Sequence, residues 1–529
     1  MQLQRILNNR LFLSLAGGLL MSAAWWEHLP AVIMLVALVP FIHILNISSR
    51  SKVSSSLVFS SVFPGFLVFN ILSFSWLTKA SPAGGVMAII AHSILLSLVF
   101  WLTFKISLKS GKITGALSLV SFWLAYEFTC LHIDIISPWL NSGNVFGKEA
   151  YLVQWYEFTG TAGGSLWIII SNIIIYELLS SISGKESYKL IMAAALTVIL
   201  FPPLISFAVA SRTPERTGRA GFVIVQPNID PYTEKFDSIP FTKQFGRMLR
   251  DAGNALNDGT DWVLLPETAI DDPFPEESSP GNVYIKQAKE FLDMHPGVDL
   301  IFGATSLTGK KHPGKAKERG DTALHNSAVH LSSEGYPEFY HKSKLVPGIE
   351  KEIVILPYFL MRLIIPDLGG SMSGYTPQDE REVFIHSETG VKLAPIICYE
   401  SAYGEFVTSY LQKGADVLAI ITNDGWWDKT AGYKQHYWFA SLRAIENRRP
   451  VIRCANTGIS CICDINGKTL SSTGWWEKDI LEGEISLVNY TSFYSKHGDY
   501  IYRFFTFSAV IILILAFIAA PIRKLRFAG

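Results

Sequence analysis

Cysteine is scarce in this chain. Five in 529 residues (Cys130, Cys398, Cys454, Cys461 and Cys463) are too few and too unevenly placed for a disulfide framework, and their spacing fits no zinc pattern, so no metal is expected. Only Cys461 and Cys463 lie close in sequence. A bridge between residues one apart would be strained, which predicts thiols there. An excess of either charge is missing too. The 45 basic side chains are matched by 45 acidic ones, so no overall field argues for nucleic acid as a partner. There is no internal repeat and no low-complexity tract. Charged residues make up only 17% of the chain against 49% hydrophobic ones, and the mean hydropathy of +0.27 is too high for an ordinary soluble protein. The default class is a membrane protein.

Long apolar runs are present in quantity. Seven stretches in the first 210 residues, near 11–26, 29–47, 57–77, 85–104, 113–132, 164–182 and 190–210, and an eighth near 504–522, approach or reach the roughly 20 helical residues that cross a bilayer. The first has signal-peptide features, with Arg5 and Arg10 before an apolar core and a cleavable-looking Ser22-Ala23-Ala24, but six further spans favour an uncleaved helix. The short connections on one side collect Arg5, Arg10, Arg50, Lys52, Lys105, Lys109, Lys112, Lys185, Lys189, Arg523, Lys524 and Arg526, and those on the other only Lys79 and Lys148. Positive charge stays inside. Both termini are therefore expected in the cytoplasm and the long segment from about 211 to 500 outside, which in a bacterium means the periplasm or outer face of the inner membrane. That compartment supplies neither ATP nor reduced nicotinamide. Chemistry there runs on energy already stored in the substrate, and no cofactor is expected.

The outer segment turns charged and rich in turns. Short β-type runs at 222–226, 262–266, 300–303, 327–331, 393–397, 417–422 and 451–455 alternate with helical stretches at 241–256, 283–294, 404–413 and 435–447. This predicts an α/β domain with helices covering a sheet, and its roughly 290 residues suffice to bury a core. Three segments end in, or carry, a reactive side chain. Trp262-Val-Leu-Leu-Pro ends in Glu267, Tyr340-His precedes Lys342, and Leu393-Ala-Pro-Ile-Ile ends in Cys398. A thiol at a strand tip is placed for nucleophilic attack, yet a lone cysteine is equally a buried structural residue. A carboxylate that removes the thiol proton and an ammonium that stabilises thiolate and oxyanion make chemical sense beside it. Glu267 and Lys342 alone also read as an ordinary ion pair.

In that order and spacing, Leu-Leu-Pro-Glu267-Thr-Ala, His-Lys342-Ser-Lys-Leu-Val-Pro and Ile-Cys398-Tyr-Glu resemble the Glu-Lys-Cys triad of the nitrilase superfamily. With seven spans before the domain and one after, the chain is similar throughout to that superfamily's membrane-embedded apolipoprotein N-acyltransferase family. Val-Gln-Pro-Asn228, Thr-Asn-Asp424-Gly-Trp426-Trp, Gln435-His436, Arg443-Ala-Ile-Glu446 and Cys-Ala-Asn456 also match. It departs at Val346-Pro-Gly-Ile-Glu350, where the family commonly has Val-Pro-Phe-Gly-Glu, and at Phe236, where the family often has tryptophan.

The resemblance implies a polytopic α-helical membrane domain with about eight transmembrane helices and a nitrilase-like αββα sandwich. Residues 1–210 would be the membrane domain with seven helices, 211–500 the extracytoplasmic catalytic domain, and 501–529 the last helix and a cytoplasmic tail. It also implies a ping-pong acyl transfer through a Cys398 thioester. The donor is a phospholipid, expected to be phosphatidylethanolamine, and the acceptor is the N-terminal amine of a diacylglyceryl apolipoprotein. Glu267 would be the base, Lys342 the oxyanion group, and Glu350, Glu400, Tyr399 and Asn326 supporting residues. A membrane-anchored amidase of the same superfamily and a non-catalytic lipid-sensing protein remain as alternatives.

Residues 353–365, strongly apolar but too short to span and interrupted by Pro357 and Arg362, read as an arm resting at the membrane interface or as a core helix. Phe359, Leu360 and Ile364 lie in this stretch and, with Trp426, Trp427 and Phe236, are the expected lipid contacts. His436 reads as structural. Within the membrane part Glu127, His92 and Asn172 either line a lipid path or bond between helices. If 353–365 is an arm, Leu360→Asp with Ile364→Asp lowers turnover on lipid far more than it lowers the unfolding temperature; equal losses in both would refute it.

Overall fold

The structure is a computed structural model and describes residues 9–133, 136–184, 187–212, 214–235, 239–309, 322–351 and 374–526. The chain divides into two compact units. One takes Met1–Ser75, Gly85–Val209 and Asp499–Gly529, the other Trp76–Gly84 and Ala210–Gly498.

The first unit is helical. Six helices, Ala31–Arg50, Ser55–Phe74, Pro82–Ser110, Lys112–His132, Tyr156–Ser183 and Lys189–Ala210, are long and apolar enough to cross a membrane. The expected count of eight is not reached on this criterion: Arg10–Ala24 is a shorter apolar helix, and the last helix, Tyr500–Arg526, enters only with its part Tyr500–Ala516. The first ends early for a visible reason. Lys148 Nζ donates to the carbonyls of Ala24, Trp26 and Leu29 at 2.6, 2.6 and 2.5 Å, taking up acceptors that a longer helix would have used itself. Helices Arg10–Ala24 and Ser55–Phe74 meet at glycines. A Cβ on Gly18 would strike the Gly65 carbonyl, and one on Gly65 the Ser14 carbonyl, so the backbones touch as small residues allow in a bilayer.

Of the two readings of the intramembrane polar residues, bonding between helices accounts for the contacts. Asn172 Oδ1 accepts from Leu38 N and Val39 N at 2.7 and 3.1 Å, while its Nδ2 donates to Met34 O at 2.9 Å. His92 Nδ1 meets the Tyr126 hydroxyl at 2.6 Å. Glu127 is buried and accepts from Trp123 Nε1 (2.8 Å), Ser142 N (2.7 Å) and the Tyr502 hydroxyl (2.9 Å), joining its own helix to a 3-10 turn and to the helix Tyr500–Arg526.

The second unit holds two sheets. The first is built from β1 (Arg216–Gln226), β2 (Trp262–Leu264), β3 (Ile270–Pro275), β4 (Asp299–Gly309), β5 (Thr322–Leu331) and β6 (Glu338–His341). The second has β7 (Phe384–Ile385), β8 (Lys392–Ile397), β9 (Val417–Thr422), β10 (Val451–Ala455), β11 (Cys461–Cys463) and β12 (Thr469–Ser472); β13 (Asp479–Val488) then returns to the first. The orders are β13-β1-β2-β4-β5-β6, with β3 paired to β4, and β12-β11-β10-β9-β8-β7. The middle of each is parallel, β1-β2-β4 and β8-β9-β10, so these strands send their C-terminal ends to one edge of each sheet, where open α/β sheets place ligand sites.

Alternation along β1 decides the layers. Val223 and Val225 join Val263, Leu300 and Phe302 in a core with Phe245, Leu249 and Phe291 of the helices Phe241–Ala255 and Val283–Met294. The opposite face meets the second sheet, where Cys454 Sγ lies 3.4 Å from Val225 O and 3.5 Å from Leu264 O. Helices Gly404–Gln412 and Ala431–Asn447 cover the outer side of β8, β9 and β10. The result is an α-β-β-α arrangement.

Glu127→Leu would leave the Ser142 amide without its acceptor and take one partner each from the Tyr502 hydroxyl and the Trp123 indole, the latter keeping Ser142 Oγ at 3.1 Å. At about 1–3 kcal/mol per stranded buried group, a clear fall in unfolding temperature in detergent is expected. Glu127→Gln, which keeps one acceptor oxygen and is uncharged, should lose less.

Candidate active site

Glu267 sits where β2 gives way to a tight passage against β4. Gly303 N donates to Pro266 O at 3.1 Å, and a Cβ on Gly303 would meet the Thr268 amide and come within 2.6 Å of Glu267 Cα. Only glycine lets the carboxylate-bearing segment lie this close. Lys342 comes just after β6, and its backbone amide donates to Asn326 O at 2.8 Å, so β5 and β6 set the two side chains together. Glu350 comes from the turn 346–351, which it closes itself: its Oε2 accepts from Val346 N at 2.8 Å.

These four side chains form one buried cluster. Lys342 Nζ lies 2.9 Å from Glu267 Oε1 and 2.8 Å from Glu350 Oε1. Asn326 Nδ2 donates to the same two oxygens at 2.9 and 3.0 Å. The second Glu267 oxygen accepts from Asn423 N at 3.1 Å. Burial opposes charge on Lys342, but the carboxylates of Glu267 and Glu350 outweigh it and hold its pKa well above the ordinary lysine value. It stays an ammonium at any physiological pH.

Cys398 begins the 3-10 turn Cys398–Ala402 directly after β8, with φ at +51°. Burial and then the Glu267 carboxylate push its thiol well above the usual cysteine range, while Lys342 pulls it down. The resting group is a neutral thiol, with the Glu267 carboxylate and the Lys342 ammonium acting on it in opposite directions. Its backbone is held from beneath. Ser401 Oγ donates to Cys398 O at 2.7 Å, and His436 Nε2 lies 3.1 Å from that carbonyl. His436 Nδ1 is 2.8 Å from Asp424 Oδ1, and Arg453 Nη2 donates to Asp424 Oδ2 at 2.6 Å. Arg453 and His436 offset the cost of burying Asp424 and depress its pKa. His436 thus holds the backbone of Cys398.

Glu400 links the cysteine turn to the lysine turn. Its Oε2 accepts from Ile397 N at 2.8 Å, and its Oε1 from Ser343 N at 2.6 Å and the Tyr340 hydroxyl at 2.7 Å. Tyr399 is buried edge-on to Tyr403, with ring centroids 5.2 Å apart. Trp427 is buried between Trp76 and His436, at centroid distances of 4.9 and 5.3 Å. Trp426 is partly exposed, edge-on to Tyr232 at 5.5 Å. Phe236, Phe359, Leu360 and Ile364, with the whole 353–365 stretch, lie outside the described residues. The sequence reading gave no role to Thr422, Asn423, Asp424 or Arg453. The polar run Thr422-Asn423-Asp424 directly after the apolar β9 was the available signal. The thiols of Cys461 and Cys463 are 3.7 Å apart and free.

A buried acid, amine and thiol thus follow strands of a two-sheet α/β domain. The Carbon-nitrogen hydrolase family model matches residues 224–494, more than half of the chain, and the chain belongs to that family. The Apolipoprotein N-acyltransferase N-terminal domain matches residues 17–174. The finer resemblance read from the sequence therefore holds across both units. Curated relatives carry the same name. The apolipoprotein N-acyltransferase of Chlorobaculum tepidum is 28% identical over 529 residues, covering 94% of each chain; that of Geobacter metallireducens is 24% identical, covering 77% of this chain and 76% of its own. Among solved structures, Saccharomyces cerevisiae Nit3 of the nitrilase superfamily aligns over 52% of this chain and 93% of its own, at 14% identity and a TM-score of 0.37.

Burial lifts the pKa of Glu400 from 4.5 to about 7. A carboxyl whose folded pKa exceeds its unfolded one stabilises the fold fully below about pH 4.5 and loses that contribution as the pH rises through about 7. Unfolding temperature measured from pH 4.5 to 7.5 should show this decline in the parent, and Glu400→Gln should remove it.

Proposed function

We propose that this chain moves an acyl chain from a phospholipid, with phosphatidylethanolamine as the expected donor, to the N-terminal amine of S-diacylglyceryl-cysteine on an apolipoprotein. An acyltransferase is the activity that the relatives' names carry. The observation that carries the residue-level reading is the buried Lys342 held by Glu267 and Glu350 beside a thiol at a strand tip.

In the first half-reaction Cys398 Sγ attacks the ester carbonyl while Glu267 takes the thiol proton. Lys342 stabilises the oxyanion with the donor it does not spend on Glu267 and Glu350, together with a backbone N–H near Cys398. Glu267 returns the proton to the glycerol oxygen, and the lysophospholipid leaves behind a thioester. In the second, the acceptor amine attacks the thioester carbonyl while Glu267 takes its proton, and as the C–S bond breaks Glu267 returns that proton to Cys398 Sγ. The energy of the ester is carried through the thioester into the amide, so no cofactor is needed. Glu350 and Asn326 keep Lys342 and Glu267 in register, and Glu400 keeps Ser343 tied to the cysteine turn.

The charge distribution supports a setting. The concentration of Lys and Arg on one side of the spans favours an inner-membrane protein with both termini in the cytoplasm and its catalytic domain in the periplasm, within reach of both lipid-borne substrates.

Incubation with phosphatidylethanolamine should add the mass of one acyl chain to the intact protein. The adduct should be hydroxylamine-sensitive and absent in Cys398→Ala. A folded parent that takes no adduct would overturn the mechanism, and activity of the excised domain on a water-soluble amide would favour an anchored amidase instead.

A further inference from the structure

Two buried polar atoms next to Glu267 have no hydrogen-bond partner among the described residues: Asn326 Oδ1, an acceptor, and Asn423 Nδ2, a donor. Asn423 is 1% exposed, and its amide orientation is fixed by its neighbours. Three donors converge on Oδ1: Gly425 N at 3.3 Å, Asn456 Nδ2 at 3.3 Å and Thr457 Oγ1 at 3.4 Å. Asn456 is itself oriented, since its Oδ1 accepts from Ile229 N at 3.0 Å. The NH2 group of Asn423 must therefore point the other way, and a buried donor without an acceptor is a standing cost to the fold.

Its surroundings are those of the reaction. The Asn423 backbone amide donates to Glu267 Oε2. The preceding residue, Thr422, interacts with the Cys398 thiol and donates to Asp424 Oδ1 at 2.9 Å. Asn423 thus directly follows β9, bonded through its backbone to Glu267 and next in sequence to the residue that meets the Cys398 thiol. An acyl transfer builds negative charge on one oxygen, and that oxygen wants donors. Asn326 Oδ1 has none to give, whereas Asn423 Nδ2 has two protons.

We propose that Asn423 Nδ2 is a substrate-contacting donor that binds the carbonyl oxygen of the acyl group as it becomes an oxyanion, alongside Lys342. This rests on the acyl-transfer reading above. As Cys398 Sγ bonds to the carbonyl carbon, the C=O electron pair moves onto this oxygen and the thiol proton to Glu267. As the C–O bond to glycerol breaks, the pair returns and the proton leaves with the glycerol oxygen. Asn423 gives no proton away.

Asn423→Ser tests it, because serine keeps a capping oxygen for Gly425 N, adds no charge and removes the NH2 group. Two rates are compared on the full-length protein in detergent. Alkylation of Cys398 by iodoacetamide needs the thiolate but forms no oxyanion, whereas acyl-adduct formation from phosphatidylethanolamine needs both. N423S should alkylate within about twofold of the parent and acylate about 100-fold more slowly, the usual effect of losing one oxyanion donor. Unchanged acylation, or a parallel loss of both rates, overturns the inference. A parent that takes no adduct sinks the proposed function and this inference with it; a parent and N423S that acylate equally sink the inference alone. Should the serine variant not fold, Asn423→Thr keeps a capping oxygen, lacks the NH2 group, adds no charge, and is read by the ratio of the same two rates.

Discussion

Lys342 is 1% exposed, and an ammonium taken that far from water is tolerable only with opposite charge in direct contact. Two carboxylates supply it, 2.9 and 2.8 Å away, and the rest of the site is built to keep them there. Glu267 needs the close approach of β2 and β4 that Gly303 allows. Glu350 needs its own turn closed by Val346 N, and Asn326 needs β5 paired with β6. Loss of one carboxylate would leave the ammonium under-compensated; loss of the ammonium would leave two carboxylates repelling each other in a dry place. The excess of one negative charge is shared with the Asn326 amide and with the Asn423 backbone N–H. Burial first, and then the Glu267 carboxylate, hold the Cys398 thiol above the usual cysteine range.

The strands that carry chemistry were legible because each is an unbroken apolar run that stops at a polar side chain. Trp262-Val-Leu-Leu and Leu393-Ala-Pro-Ile-Ile are buried along nearly their whole length, as parallel central strands are, and the reactive residue at the end of each run is displayed at the sheet edge. β13 went unread because Asp479-Ile-Leu-Glu-Gly-Glu is half exposed at the edge of the first sheet, and β7 and β11 are too short to show a period. The Asp424–His436–Arg453 cluster was invisible as a cluster. Each charge looks like surface until the fold brings its counter-charge within 3 Å, and no spacing along the chain announces that. The ring neighbours of Trp427 were hidden for a similar reason. Its partner, Trp76, belongs to a connection between two membrane helices, remote in sequence.

The helical unit uses polar groups differently. Glu127 and Asn172 each hold groups from more than one segment, and Lys148 takes three carbonyls at the end of the first helix. Since lipid tails are as apolar as leucine, hydrophobic burial does little to choose one helix arrangement over another. These contacts, with the Gly18–Gly65 approach, provide that choice. The residue types that raised the prospect of a lipid path are accounted for as fasteners.

Cys398 occupies a left-handed backbone conformation, φ +51°, that costs a side-chain-bearing residue roughly 1 kcal/mol or more and costs glycine almost nothing. The turn alone would favour glycine there. The strain falls at the point where β8 stops and the 3-10 turn begins. The position is thus one where selection for folding and selection for chemistry pull in opposite directions. A variant population freed from the need for the thiol should drift towards glycine at 398 while the sheets on either side remain intact.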